Sequence, residues 1–174
     1  VDNINIDKSA PGIVLFNRTA ANINGWNNSD VTVAWTCSDA LSGPASPSVN
    51  QVVSAEGANQ SAQGTCTDLA GNSANATETN IDIDLTPPAL APSVSPNPVL
   101  KNQPASASPN ASDALSGVAT ELCGLVDTSV AGSFTVNCSA TDNADNFASV
   151  MANYSVATCS AGSYFDDQTS SCLP

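Results

Sequence analysis

The sequence predicts an all-β protein made of two tandem antiparallel β-sandwiches and a short tail closed by a disulfide. Three observations predict this class. Apolar residues alternate with polar ones, a unit of roughly 75 residues occurs twice, and Gly, Pro, Asn and Asp interrupt the chain about every 8–12 residues. No segment repeats its apolar residues with the period of an α-helix.

The alternation is clearest in the segment VTVAWTC. A strand of this sequence turns every second side chain to the core and the others to solvent. The side chains expected in the core are Val31, Val33, Trp35 and Cys37. The same reasoning places Phe134, Val136, Cys138 and Ala140 on one face of SFTVNCSATD. In NIDID, Ile81 and Ile83 are expected to face inward, and Asn80, Asp82 and Asp84 outward.

The internal repeat defines the domain organisation. CSDALSGPAS, from residue 37, matches ASDALSGVAT, from residue 111, and TDLAGNSA, from residue 67, matches TDNADNFA, from residue 141. Matching blocks in the same order indicate two copies of one structural unit. The predicted segments are a spare strand at 1–7, a first domain at 8–84, a second domain at 85–157 and a Cys-bounded tail at 158–174.

Composition excludes several functions. The net charge is −13, with only three basic residues, so no basic patch exists for nucleic acid or an anionic membrane surface. No apolar run approaches the roughly 18 residues of a membrane span. The chain has no histidine, which removes the commonest general base and the commonest transition-metal ligand. The sequence therefore predicts that the protein is not an enzyme.

The six cysteines predict disulfides and an oxidising compartment, since no pair has Cys-x-x-Cys spacing. Cys37 and Cys66 are placed to join the two sheets of the first sandwich. Cys123 and Cys138 would close a short loop in the second sandwich. Cys159 and Cys172 would close the tail. Six cysteines allow fifteen pairings, so the sequence leaves the connectivity open.

Residues 3–156 resemble the bacterial immunoglobulin-like repeats of large secreted and cell-surface proteins. The second unit is similar to hyalin-type repeats from SPNASDALSGV through FTVNCSATDNADN, and the first is similar to a sister repeat. The tail resembles half of a small Cys-rich stalk repeat. The resemblance implies immunoglobulin-like sandwiches and an extracellular or cell-surface location. The chain departs from the pattern between its own repeats at Asp145, which stands where the first unit has Gly71.

An immunoglobulin-like topology brings the domain entry, the Asp-Ala-Leu-Ser-Gly loop and the Thr-Asp loop to one end of each sandwich. The carboxylates expected there are Asp7, Asp39 and Asp68 in the first unit, and Asp84, Asp113 and Asp142 in the second. Such oxygen clusters suit Ca²⁺ at domain junctions. They equally suit turns in which Asp and Asn bind their own backbone. Both uses remain open, and no other cofactor is expected.

Two further site types come from the sequence. Seven Asn-x-Ser/Thr sequons could accept glycans in a glycosylating host: Asn17, Asn27, Asn59, Asn75, Asn110, Asn137 and Asn153. Trp26 lies in the turn NGWNNSD, where it could stack on a sugar or plug a corner of the sandwich.

The opening segment NINID duplicates NIDID, the last strand of the first unit. Two explanations remain open. The chain could be an excerpt of a longer repeat array, or Ile4 and Ile6 could form a donor strand that pairs with another subunit.

The expected function is that of an extracellular structural module. It would be a spacer, stalk or adhesin segment, or a filament subunit assembled by β-strand addition. Its partners would be neighbouring repeats or identical subunits. The alternative is an adhesion module that binds a cell-surface glycan or protein through its loops.

Overall fold

The computed structural model describes residues 4–159, 162–166 and 171–173. The chain divides into two compact units, unit 1 at Val1–Thr86 and unit 2 at Pro87–Pro174. The described residues form strands and turns and contain no helix, so the predicted all-β class is confirmed. The sequence predicts the boundary after Asp84, and the units divide after Thr86.

The described part of unit 1 has five strands in two antiparallel sheets. They are β1 (Gly12–Arg18), β2 (Val31–Ser38), β3 (Ser48–Val53), β4 (Gly57–Thr67) and β5 (Ser73–Ile83). One sheet has the order β1-β2-β3, and the other is the pair β4-β5. An isolated parallel bridge between Asn27 and Ile83 extends the second sheet, which is a departure from the wholly antiparallel prediction.

The core of unit 1 lies between these sheets. Val31, Val33 and Trp35 of β2 are buried, as their alternation predicts, and they pack with Ile81 and Ile83 of β5. The indole of Trp35 lies against Gly64 of β4, where a Cβ would come within 2.5 Å of the ring. Glycine at this position therefore lets the tryptophan fit between the sheets.

A disulfide joins the two sheets of unit 1. Cys37 of β2 is bonded to Cys66 of β4, with 5.6 Å between their Cα atoms and a sequence separation of 29. Both side chains are buried beside the core. Closing a loop of this length lowers the entropy of the unfolded chain and stabilises the unit by about 3–4 kcal/mol in the loop-entropy model.

Unit 2 has ten described strands, most of them short. They are β6 (Ala89–Leu90), β7 (Ser93–Ser95), β8 (Val99–Leu100), β9 (Ser106–Ser108), β10 (Ala111–Ser112), β11 (Val118–Cys123), β12 (Gly132–Asp142), β13 (Phe147–Ala157), β14 (Tyr164–Asp166) and β15 (Ser171–Leu173). The main sheet has the order β11-β12-β13-β8, in which β8 runs parallel to β13. The pairs β6-β10, β7-β9 and β14-β15 are antiparallel.

The core of unit 2 gathers around Tyr154. Val99, Val136 and Val156 of the main sheet pack with Val94 of β7, and the Tyr154 ring lies 5.7 Å from that of Phe134. The Tyr154 hydroxyl donates to the carbonyl of Asp127 at 3.0 Å and accepts from its N–H at 3.1 Å. These bonds fix the loop between β11 and β12 to the core.

The remaining disulfides pair as the sequence suggests. Cys123 of β11 is bonded to Cys138 directly opposite on β12, so this bridge lies within one sheet. Cys159 is bonded to Cys172, and the bond closes the tail around the pair β14-β15. The two units thus place their internal bridges differently.

The two repeats also differ after the Asp-Ala-Leu-Ser-Gly loop. In unit 2 this segment forms β11 beside β12, whereas in unit 1 it makes one bridge, Pro44 with Asp68, and then crosses to pair with β2. The sequence PASP of unit 1 supplies the reason. Pro44 and Pro47 have no N–H group, so they cannot continue a ladder.

Two predictions about NINID and NIDID are wrong in detail. Asp84 is fully buried rather than outward, because β5 ends at Ile83 and the alternation no longer applies beyond it. Residues 4–7 form no strand, because no described strand pairs with them, and Ile4 and Ile6 are 82% and 70% exposed. Residues 1–3 of the predicted spare strand lie outside the described residues.

Candidate functional site

Three carboxylates meet at one end of unit 1. Asp7 precedes β1, Asp39 follows β2, and Asp68 begins the turn between β4 and β5. One carboxylate oxygen from each lies within 4.8 Å of the others. The structure therefore brings together the three residues that the sequence predicts for the first cation site.

Each carboxylate of this cluster also holds a turn. Asp39 accepts the N–H groups of Leu41, Ser42 and Gly43 through Oδ1, at 2.9–3.0 Å. Asp68 accepts the backbone N–H of Asn72 and its side-chain amide, both at 2.8 Å. The turn-forming use is thus present in the structure.

Asp7 ties the domain entry to the loop after β2. Its carboxylate accepts N–H bonds from Ser42 at 3.1 Å and from Ser9 at 2.8 Å. Hydrogen bonds from Ser42, and then from Ser9, favour the charged form and lower the pKa of Asp7 below its usual value. The side chain of Asn72 also donates to the Asp7 carbonyl at 3.3 Å.

No basic side chain balances these charges among the described residues. The ion pair found among the described residues joins Arg18 to Glu78, at 3.0 Å. Three carboxylates within 4.8 Å of one another repel when all are ionised. A cation with oxygen ligands would relieve that repulsion.

The second repeat reproduces the loop carboxylates. Asp113 accepts the N–H of Gly117 at 2.7 Å, and Asp142 accepts those of Ala144 and Asn146 at 2.8 Å. Oxygens of Asp113 and Asp142 lie within 4.8 Å of each other. Asp145 has a φ of 69° where Gly71 has 90°, so both repeats use the left-handed region in this turn.

Asp84, the third residue predicted for the second cluster, is described within unit 1. Its backbone N–H donates to the carbonyl of Asn27 at 2.9 Å. Its carboxylate accepts the N–H of Thr86 at 3.0 Å. These bonds hold the end of the chain segment that leaves β5.

The sequons differ in accessibility. Asn27 is buried and its side-chain amide donates to the carbonyl of Ala20, so a glycan on that nitrogen does not fit the folded unit. The amide of Asn110 is exposed but donates to Ala91 and Ser93. The other five are exposed: Asn17, Asn59, Asn75, Asn137 and Asn153.

The aromatic and apolar residues considered as binding residues also differ in their exposure. Trp35 is in the core, whereas Trp26 is half-buried in its turn, where its backbone N–H donates to the side-chain oxygen of Asn22. Ile4 and Ile6 line an open depression beside the acidic cluster, together with Leu41 and Leu69. The sequence patterns did not reveal this apolar group, because it is assembled from the segment before β1 and two separate loops.

Comparisons with protein-family models, curated proteins and solved structures gave no match. No helix in the described part of the chain is long and apolar enough to span a bilayer.

Proposed function

We propose that this chain is a non-enzymatic structural module of the extracellular space, in which two immunoglobulin-like repeats serve as spacers of a secreted or cell-surface protein. The observation that supports it best is that each repeat is a compact β unit with its own core and its own internal disulfide. Repeats that fold as separate units suit a chain that must keep two sites apart.

The disulfides support both the location and the mechanical role. Three disulfides in 174 residues are typical of proteins that fold in an oxidising compartment. The Cys37–Cys66 bond connects opposite sheets of unit 1, so tension along the chain cannot separate β2 from β4. Units braced in this way keep part of their length folded under load.

The chemistry of the polar groups also favours a structural role. The chain has no histidine to activate a hydroxyl nucleophile. The carboxylates of the unit 1 cluster accept backbone N–H bonds from the loops that meet there, which is a structural use.

The test is single-molecule stretching of the full oxidised chain, held at its two ends. Two separate force peaks, one for each unit, are expected. Smooth extension without peaks would contradict a mechanical role.

As part of this proposal, Asp7, Asp39 and Asp68 bind Ca²⁺ and stiffen the entry to unit 1. Both tryptophans lie in unit 1, so their fluorescence reports the melting of this unit alone. Millimolar Ca²⁺ is expected to raise the melting temperature over that in excess chelator, and Asp7→Asn to reduce the rise. The matched control is Asp30→Asn, since Asp30 is an exposed carboxylate of unit 1 outside the cluster. Equal melting temperatures in Ca²⁺ and chelator would remove calcium from the proposal and leave the spacer role intact.

A binding role is the second candidate, and the apolar depression favours it. Ile4, Ile6, Leu41 and Leu69 are each at least 70% exposed beside a charged cluster. Apolar groups exposed together often mark a contact surface. A glycan array and a pull-down separate the two forms of this candidate. Saturable glycan binding weakened by Trp26→Ala would favour an adhesion module, and protein capture weakened by Leu41→Ser would favour a protein partner.

A further inference from the structure

The strand β1 presents an open, apolar edge. Among the described strands it pairs only with β2, so one side of its backbone has no strand partner. Val14, Leu15 and Phe16 are 63%, 44% and 74% exposed. Neighbouring residues of a strand face opposite sides of the sheet, so this exposure shows that neither side of β1 is fully covered at these positions.

Side chains occupy other edges of unit 1. The guanidinium of Arg18 donates to the carbonyls of Thr79 and Asn80 on β5, at 3.3 and 2.7 Å. The side chain of Gln51 accepts the N–H of Gln63 on β4 at 2.6 Å. Each contact engages backbone groups that another strand would need, a common protection of sheet edges.

The equivalent strand of unit 2 is protected in a different way. Its two pieces, β6 and β7, are separated by Pro92 and followed by Pro96 and Pro98. Prolines cannot donate to an added strand. The carboxamide of Asn97 also bonds the carbonyl of Asn153 and the N–H of Ser155 on β13, at 3.2 and 3.0 Å. The internal repeat thus supplies a counterpart protected by prolines and Asn97, whereas β1 contains no proline and carries an irregularity in its register between Leu15 and Asn17.

The distribution of charge also favours β1 as the place where two copies of the chain associate. Residues 8–29 contain no Asp or Glu, although the chain as a whole carries a net charge of −13. Gly12–Asn17 contains no charged residue at all. Two copies of so acidic a chain repel each other over most of their surface, and the repulsion is weakest where neither copy carries an acid.

We propose that β1 pairs antiparallel with β1 of a second copy of this chain, around a two-fold axis at Leu15. The pairing sets Val14 opposite Phe16 on both sides of the axis, so apolar side chains meet apolar ones. It joins two three-stranded sheets into one sheet of six strands and fills the free side of both edges. The inference goes beyond the proposed function, because a spacer needs no self-association.

The test is sedimentation equilibrium of the full chain from about 1 μM to about 1 mM. The range extends to high concentration because one edge strand buries less than the roughly 1,600 Å² of a standard interface, so the dimer is expected to be weak. The sample is produced without glycans and checked by intact mass, since Asn17 is a sequon on this edge. The mass is expected to approach that of a dimer at the highest concentrations. Val14→Lys and Phe16→Lys are each expected to weaken dimerisation at least tenfold. The matched control Val52→Lys, which alters a side chain 52% exposed on β3, should leave it unchanged.

A second measurement does not depend on the variants. Hydrogen exchange of the wild-type chain should slow at β1 as concentration rises, while exchange at β5 stays constant. A wild-type chain that remains monomeric over the whole range overturns the proposal. So does a dimer that Val14→Lys and Phe16→Lys leave as tight as the wild type, or one that shows no change in exchange at β1. None of these results bears on the force peaks that test the spacer role.

Discussion

The contact between Gly64 and Trp35 predicts a large effect from a single methyl group. A Cβ at position 64 would lie 2.5 Å from Cε3 and 2.7 Å from Cδ2 of the indole. Real Cβ atoms do not approach other atoms so closely, so either the ring or the strand must move. Trp35 is only 1% exposed and packed between two sheets that a disulfide joins, which leaves it little room. Gly64→Ala is therefore expected to destabilise unit 1 by about 1–3 kcal/mol through overpacking.

The assay is denaturant unfolding followed by tryptophan fluorescence, which reports unit 1 because Trp26 and Trp35 both lie there. The same loss would lower the melting temperature by about 4–8 °C for each kcal/mol in a unit of this size. Gly124→Ala is the matched control, since its Cβ would lie 3.4 Å from Val136, an ordinary contact. The unfolding of the Gly124→Ala variant, followed by circular dichroism of the whole chain, is expected to differ little from that of the wild type.

A double-mutant cycle with Trp35→Phe isolates the clash. The smaller ring leaves space for the added methyl group, so the double variant should lose at least about 1 kcal/mol less than the sum of the single losses. Substitutions at exposed positions usually change the free energy of unfolding by less than about 0.5 kcal/mol. If Gly64→Ala changes it by no more than that, position 64 behaves like an exposed position. The packing of Trp35 on Gly64 would then be refuted.

Two further predictions concern hydrogen bonds. Tyr154→Phe removes the hydroxyl that bonds both the N–H and the carbonyl of Asp127, and we expect it to destabilise unit 2 by about 1–3 kcal/mol; a change below about 0.5 kcal/mol in denaturant unfolding followed by circular dichroism would contradict this. Hydrogen bonds from Ser42 and Ser9 lower the pKa of Asp7 in the folded chain. The charged carboxylate therefore stabilises the fold at pH values above its unfolded pKa of about 3.8, and this contribution is lost as the pH falls through the lower folded pKa. In excess chelator, Asp7→Asn should melt below the wild type at pH 7, with the difference shrinking below about pH 4; a variant that melts higher at pH 7 would mean that repulsion within the cluster outweighs these bonds.

Much of the fold follows from local patterns. The alternation in VTVAWTC correctly identifies the buried side of β2, and Ile81 and Ile83 are buried as predicted. The expected immunoglobulin-like topology predicts that Asp39 and Asp68 meet, and they do, because both follow strands that end at the same pole of unit 1. These predictions succeed because burial on one side of a sheet imposes a period of two on the sequence.

Other features depend on contacts that a periodic pattern does not encode. The burial of Asp84 arises after the end of β5, where the chain turns and alternation ceases. The exchange of β3 for β11 depends on Pro44 and Pro47, which differ between repeats that otherwise match around this loop. The side-chain hydrogen bonds that Arg18 and Asn97 make to other strands join residues more than 50 positions apart, and only the folded chain reveals them.

Stretching the chain with its disulfides intact and then reduced tests the central claim, that two disulfide-braced units act as mechanical spacers. The bridges withhold 29 residues of unit 1 and 15 of unit 2 from extension, which corresponds to about 100 Å and about 50 Å of chain at roughly 3.4 Å per residue. Reduction is expected to lengthen the two unfolding steps by these amounts and to lower the force at which unit 1 opens. Steps of equal length before and after reduction would contradict the account, because the disulfides would then lie outside the path of the load.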